Sequence, residues 1–97
     1  MPTYISLFRW TPKGAEHVME SPSRVEATKA AAKDLGLEIR EVYVTMGRYD
    51  TIFVVTAPDD ASYARFMFSL LSKGNVQSET LRAFTEEEFR EITASLP

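Results

Sequence analysis

No cysteine occurs in the 97 residues, which removes disulfides, thiol nucleophiles and cysteine-based zinc sites in one step. That absence suits a reducing compartment, and the cytoplasm is the expected location. There is a single histidine, His17, so a transition-metal site would need carboxylates or a second subunit to complete it. Neither a metal nor a cofactor is expected. Met19, Met46 and Met67 are scattered and do not form a copper-binding pattern. No run approaches the roughly 20 apolar residues of a membrane span. The opening MPTYISLFRW lacks the basic segment, long apolar core and small-residue cleavage site of a secretory leader. Basic and acidic residues are interspersed around a net charge of -3, leaving no basic cluster for phosphates. Nucleic acid and membrane are therefore not expected partners. Nor is there a glycine-rich phosphate loop, a Ser/His/Asp set or a Cys/His pair.

What is present reads as one domain over residues 1–97, small enough to bury only about two-thirds of its unfolded surface. Thr3 to Trp10 alternates with a period of two, Ile5 and Leu7 on one face and Tyr4, Ser6, Phe8 and Trp10 on the other. Thr11-Pro12-Lys13-Gly14 breaks this strand and opens a polar connection up to Glu20. Ser21-Pro22 signals a helix start, Ser as the cap and Pro at the first position, and Gly36 closes that helix. Glu38 to Met46 and Tyr49 to Ala57 form two strands about the short break Gly47-Arg48, an antiparallel hairpin. Asp59 or Asp60 caps a helix whose stripe is Tyr63, Phe66, Met67, Leu70 and Leu71. Val76 to Phe84 is a fourth strand. Thr85 and Glu88 form a capping box for a final helix expected to turn Phe89, Ile92 and Leu96 inward. The order βαββαβ plus a terminal helix predicts an α+β, ferredoxin-like fold with a four-stranded antiparallel sheet, first and third strands central.

In that fold two helices cover one sheet face. The Tyr4, Phe8 and Trp10 face is expected to meet water on the other, an apolar patch of the kind that marks an interface. Two copies packing sheet to sheet, as a homodimer or a dimer of dimers, would bury it. The alternative has the terminal helix folding over the open face of its own chain.

GRYD at 47–50, APDD at 57–60 and GNVQSETLRAFTEEEF at 74–89 resemble the GYD domain family, whose Gly-x-Tyr-Asp signature is here Gly47, Tyr49 and Asp50. MPTYISLFRWTPKG and SPSRVEA at 21–27 match its opening, so the resemblance spans essentially the whole chain. It implies membership of the dimeric α/β-barrel proteins. Gln77 stands where the family pattern leads one to expect a basic residue, which weakens any anion contact there. GxYD, a strand, PDD, a helix and a glycine before the last strand are also similar, more remotely, to the effector-binding domain of Lrp/AsnC regulators. There the corresponding turn lies near an amino-acid site at an oligomer interface. The same topology serves cofactor-independent monooxygenases and haem-degrading enzymes, so fold alone does not select a function.

Individual residues carry two readings each. Gly47 is expected at positive φ, a structural turn. Asp50 can bind a ligand ammonium group or act as a base, or accept turn amides and hold the hairpin. Tyr49, at the same mouth, suits a ligand or interface packing. With Leu81 toward the helices, Arg82 faces the open side beside Trp10 and Tyr43, where its planar fork can hold a carboxylate. Alternatively it pairs with Glu79, Glu41 or a partner chain. His17 is a candidate base or a solvated loop residue.

The resulting expectation is a small-ligand site near the sheet interface lined by Trp10, Tyr43, Tyr49, Asp50 and Arg82. One alternative is a monooxygenase-like enzyme with His17 or Asp50 as base; another is a purely structural association module.

Overall fold

The computed structural model describes residues 1–97. Strand β1 (Thr3–Trp10) leads into helix α1 (Pro12–Glu16), a 3-10 turn at Val18–Glu20 and helix α2 (Ser21–Asp34). Strands β2 (Glu38–Val44) and β3 (Thr51–Thr56), helix α3 (Asp60–Leu71), strand β4 (Val76–Ala83) and helix α4 (Glu86–Ala94) follow. The sheet has four strands in the order β2-β3-β1-β4, every neighbouring pair antiparallel. This is the ferredoxin-like α+β arrangement, with the first and third strands central. No helix is long and apolar enough to cross a membrane.

The faces of the sheet are the reverse of the expectation. Tyr4, Ser6 and Phe8 are buried beneath the helices with Phe53 and Val55, while Ile5, Leu7, Ile52 and Val54 lie half-exposed on the open side. The register fixes this assignment, since Ile5 stands opposite both Val54 and Leu81, and Leu7 opposite Ile52. The physical reason is what α3 brings. Its Tyr63 ring stacks on Tyr4 at 4.1 Å between centroids, and Phe53 meets Phe8 edge-on at 4.9 Å. Aromatic rings remove more surface from water than Ile and Leu, so the helix layer goes to the ring-bearing face. Ser6, at 0 % exposure, is tolerated there because its hydroxyl shares a 2.6 Å hydrogen bond with the Tyr63 hydroxyl, which also bonds Thr80 Oγ1 at 2.9 Å.

The polar connection after β1 is not a loop. Thr11 caps α1 through its hydroxyl, which accepts from the Gly14 N–H at 3.2 Å, with Pro12 in the first turn. The segment is clamped onto the entry to β4. Thr11 N–H donates to Asn75 O at 3.0 Å, and a Cβ on Gly14 would meet that same oxygen at 2.0 Å. Because the chain enters α2 directly from the 3-10 turn, Ser21 is a helical residue and not the cap. The β2–β3 connection is longer than the expected tight break, spanning residues 45–50, with Gly47 at φ +130°.

The terminal helix corrects a second expectation. Its capping box forms as read, Glu88 N–H to Thr85 and Thr85 N–H to Glu88. Its apolar stripe does not turn inward: Phe89, Ile92 and Leu96 are 59 %, 41 % and 64 % exposed, and no residue of α4 is buried. It does not close over the open face of its own chain. The radius of gyration, 14.7 Å, exceeds the roughly 13 Å of a compact chain this long, as an extended arm requires.

Candidate functional site

Three places on this scaffold are candidates for a functional site. The first lies between the layers, at the end of the sheet where β1 stops and β3 and β4 start. Phe8, Trp10, Phe53 and Val76 wall a cavity of about 110 Å3, roofed by α2 and the end of α3. Arg24 and Lys73 are the charged residues in its lining, joined by Asn75, Thr28 and Thr51. Thr28 is satisfied internally, its hydroxyl donating to Arg24 O at 2.7 Å.

The second is a polar recess on the open face, of about 180 Å3, lined by Arg9, Arg48, Tyr49, Gln77 and Glu79 with Leu7 at its floor. Both guanidinium groups lie over the Tyr49 ring, at 5.3 and 5.9 Å from its centroid, and the Tyr49 hydroxyl donates to Glu79.

The third is the open face itself. Ile5, Leu7, Ile52, Val54 and Leu81 form its apolar centre, with Tyr43 and Glu41 on the β2 edge. Tyr43 donates to Glu41 Oε2 at 2.7 Å, and that bond to a carboxylate holds its hydroxyl above the usual tyrosine range.

The five expected ligand residues are dispersed over these places. Trp10 lines the interlayer cavity, Tyr49 the polar recess, and Tyr43 stands exposed on the β2 edge. Arg82 is at the opposite end of the sheet and on the helix side, not the open side. It stands opposite Tyr4, its guanidinium 5.6 Å from that ring and 4.7 Å from Phe84, donating to the carbonyls of Thr3 and Ala83. Leu81 takes the open side instead. Asp50 lines neither of the two cavities: its carboxylate accepts the Trp10 N–H at 2.9 Å, its N–H donates to Phe8 O at 2.8 Å, and its carbonyl accepts from Thr45 N–H at 2.8 Å. These bonds fasten the hairpin mouth to the end of β1. His17 sits between α1 and the 3-10 turn, half exposed, with Nδ1 3.6 Å from the Glu20 carboxylate. It does not line either cavity. No three His, Asp or Glu side chains converge as a metal site.

Sequence reasoning missed the interlayer cavity and, with it, Arg24, Thr51, Lys73 and Asn75. It is assembled from both central strands, β4 and two helices, and no local pattern joins those positions. The Tyr4 pair was missed as well. Tyr4 donates to Asp60, and burial, then that bond, push its hydroxyl up to about 12. The one available signal, Ser6 among aromatics and needing a partner from the facing helix, points to Tyr63 and not to Asp60.

Comparison with known proteins agrees with this fold. The GYD domain model matches residues 4–93. A Thermus thermophilus protein named glutamine synthetase and cystathionine beta-lyase binding protein is 39 % identical over 84 residues, 86 % of this chain and 88 % of that one. The crystal structure of TTHA0845 from Thermus thermophilus superposes with a TM-score of 0.58 at 29 % identity, covering 88 % of this chain and 95 % of its own. The crystal structure of FFRP-DM1 gives 0.62 at 22 % identity, covering 87 % and 100 %, a likeness of fold alone.

Proposed function

The chain belongs to the GYD domain family, and from that membership and its bare sheet face we propose a small association module that pairs with a second copy of itself and holds another protein. The carrying observation is the apolar centre of the open face, which no element of its own chain covers. β1 and β4 are eight residues long. At about 3.3 Å per residue and about 4.8 Å between strands, the face has a footprint of roughly 500 Å2. Two such faces bury about 1,000 Å2 together, the threshold of a biological interface and short of the roughly 1,200 Å2 of a stable one. Laying the α4 residues Phe89 and Ile92, with Leu96 just past the helix end, across the partner extends that area and covers both exposed patches at once. The polar recess and the Tyr43–Glu41 pair form the rim.

The second protein is suggested by the relative named for binding glutamine synthetase and cystathionine beta-lyase. An enzyme surface is accordingly the partner class. The working compartment is the cytoplasm, in keeping with a chain that has no cysteine. A small organic ligand completes the reading, and the walled interlayer cavity suits one better than the flat sheet interface does.

Sedimentation equilibrium and interferometry against purified glutamine synthetase test the association. Wild type should have the mass of two chains and bind. Leu81→Asp, at a position 46 % exposed in the single chain, should fold, sediment as one chain and lose binding. A wild-type mass of one chain would sink the reading.

A further inference from the structure

We propose that the interlayer cavity binds a small monocarboxylate with a ring-sized apolar body, the body between Phe8, Trp10, Phe53 and Val76 and the carboxylate at the mouth against Lys73 and Arg24. This rests on the small-ligand part of the reading above and adds the chemical class.

Size sets the body. The cavity is about 110 Å3, below the ~150 Å3 of an apolar cavity that accepts benzene, so a single ring is the upper limit for the body and the rest of the ligand must extend to the mouth. The walls set its character, since Phe8, Phe53 and the Trp10 indole offer aromatic surface on the sheet side. Charge sets the head group. The lining contains two cations and no carboxylate. Lys73 has no acid within 4 Å, and a third cation stands beside it, Lys13, whose ammonium donates to Lys73 O at 2.9 Å. Arg24 is partly compensated, with Glu20 at 3.9 Å, and it also donates to His17 O at 2.9 Å. Glu20 is thus the acid paired with Arg24, and the lining itself carries two cations and no carboxylate. A last observation points into the cavity itself. Thr51 is 6 % exposed and lines it, yet its hydroxyl has no partner among the protein's hydrogen bonds and is not sealed from solvent. That leaves a polar contact for the ligand beside the rings.

The test is an amide-shift titration of the full chain by NMR with phenylacetate and, as its neutral counterpart, phenylacetamide. Two variants accompany it: Lys73→Met removes the unpaired charge, and Val25→Trp fills the space from α2 while the dispersed spectrum reports that the fold is intact. Phenylacetate should shift Trp10, Thr51 and Val76 saturably, and phenylacetamide should bind at least about tenfold more weakly, as a lost charge-assisted contact implies. Lys73→Met should remove that difference, and Val25→Trp should abolish binding of both. Equal affinity for the two probes would overturn the carboxylate assignment while leaving a small-ligand cavity in place. Shifts confined to Leu7, Ile52 and Leu81 would overturn its location. No saturable shift from either probe would overturn the small-ligand reading together with its class.

Discussion

Replacing Asp50 separates a residue that holds the turn from one that holds a ligand. Its carboxylate accepts the Trp10 N–H at 2.9 Å while its own backbone continues the pairing through Phe8 and Thr45. Asp50→Ala leaves that backbone pairing intact and deletes only the side-chain acceptor. A hydrogen bond to a charged group contributes about 1.5–3 kcal/mol net. Asp50 is half-buried, so water recovers part of this and about 1–2 kcal/mol is the expected loss. For a chain of this size each kcal/mol moves the melting midpoint by about 4–8 °C, giving a fall of roughly 5–15 °C. Asp50→Asn keeps a carbonyl oxygen in place and should lose less than half as much. Thermal unfolding at fixed protein concentration, beside the phenylacetate titration, reads both effects. A midpoint for Asp50→Ala within about 1 °C of wild type would refute the turn-holding role. Phenylacetate should bind both variants as it binds wild type, because Asp50 lines neither cavity.

The remaining predictions concern the core and its ionisation. Tyr63→Phe removes the partner of the fully buried Ser6 hydroxyl and should cost about 1–3 kcal/mol in urea unfolding; adding Ser6→Ala should recover part of that cost, and strict additivity would argue against the pair. Gly14→Ala drives a methyl against Asn75 O, so it should loosen α1 from the β4 entry and raise amide exchange at Thr11, whose N–H donates to that oxygen; unchanged protection would contradict the clamp. At alkaline pH the Tyr4 hydroxyl, raised to about 12 from an ordinary 10.0, keeps its proton in the folded chain after the unfolded chain has released it. Its contribution is therefore complete below pH 10 and lost on the way to about 12, Tyr43 acting in the same direction. Asp59 and Glu88, held below their usual range by the backbone amides of Ser62 and Thr85, act oppositely. Their contribution is present above the ordinary carboxylate range and is lost as the pH falls through and below it. Urea midpoints at pH 8, pH 11 and pH 3 should be highest at pH 8, and a flat profile would contradict all four assignments.

The elements were legible because their signals are local. Period-two alternation marked β1, the Gly47-Arg48 break marked β2 and β3 as a hairpin, the Asp59 cap and the Tyr63-to-Leu71 stripe marked α3, and the Thr85–Glu88 pair marked α4. Which face goes inward is not local. Alternation separates Tyr4, Ser6 and Phe8 from Ile5 and Leu7, but only the arrival of Tyr63 and its bond to Ser6 decides between them. Reversing that one choice reversed Arg82 and Leu81 on β4, and so scattered the expected ligand site. The α4 stripe failed for a related reason, since amphipathic spacing reports that a face wants cover and says nothing of whose surface supplies it. The 12–20 segment was masked by Pro12, which reads equally as the end of a strand and as the first turn of a helix.

The central claim, that the open sheet face meets a second copy of itself, is tested most directly by isotope-filtered NMR on an equal mixture of 13C-methyl-labelled and unlabelled chains. Intermolecular contacts should appear at the methyls of Ile5, Leu7, Ile52 and Leu81, together with contacts from the α4 residues Phe89 and Ile92. A spectrum with no intermolecular contacts at those methyls, from a sample at which the chain is otherwise folded, would contradict it.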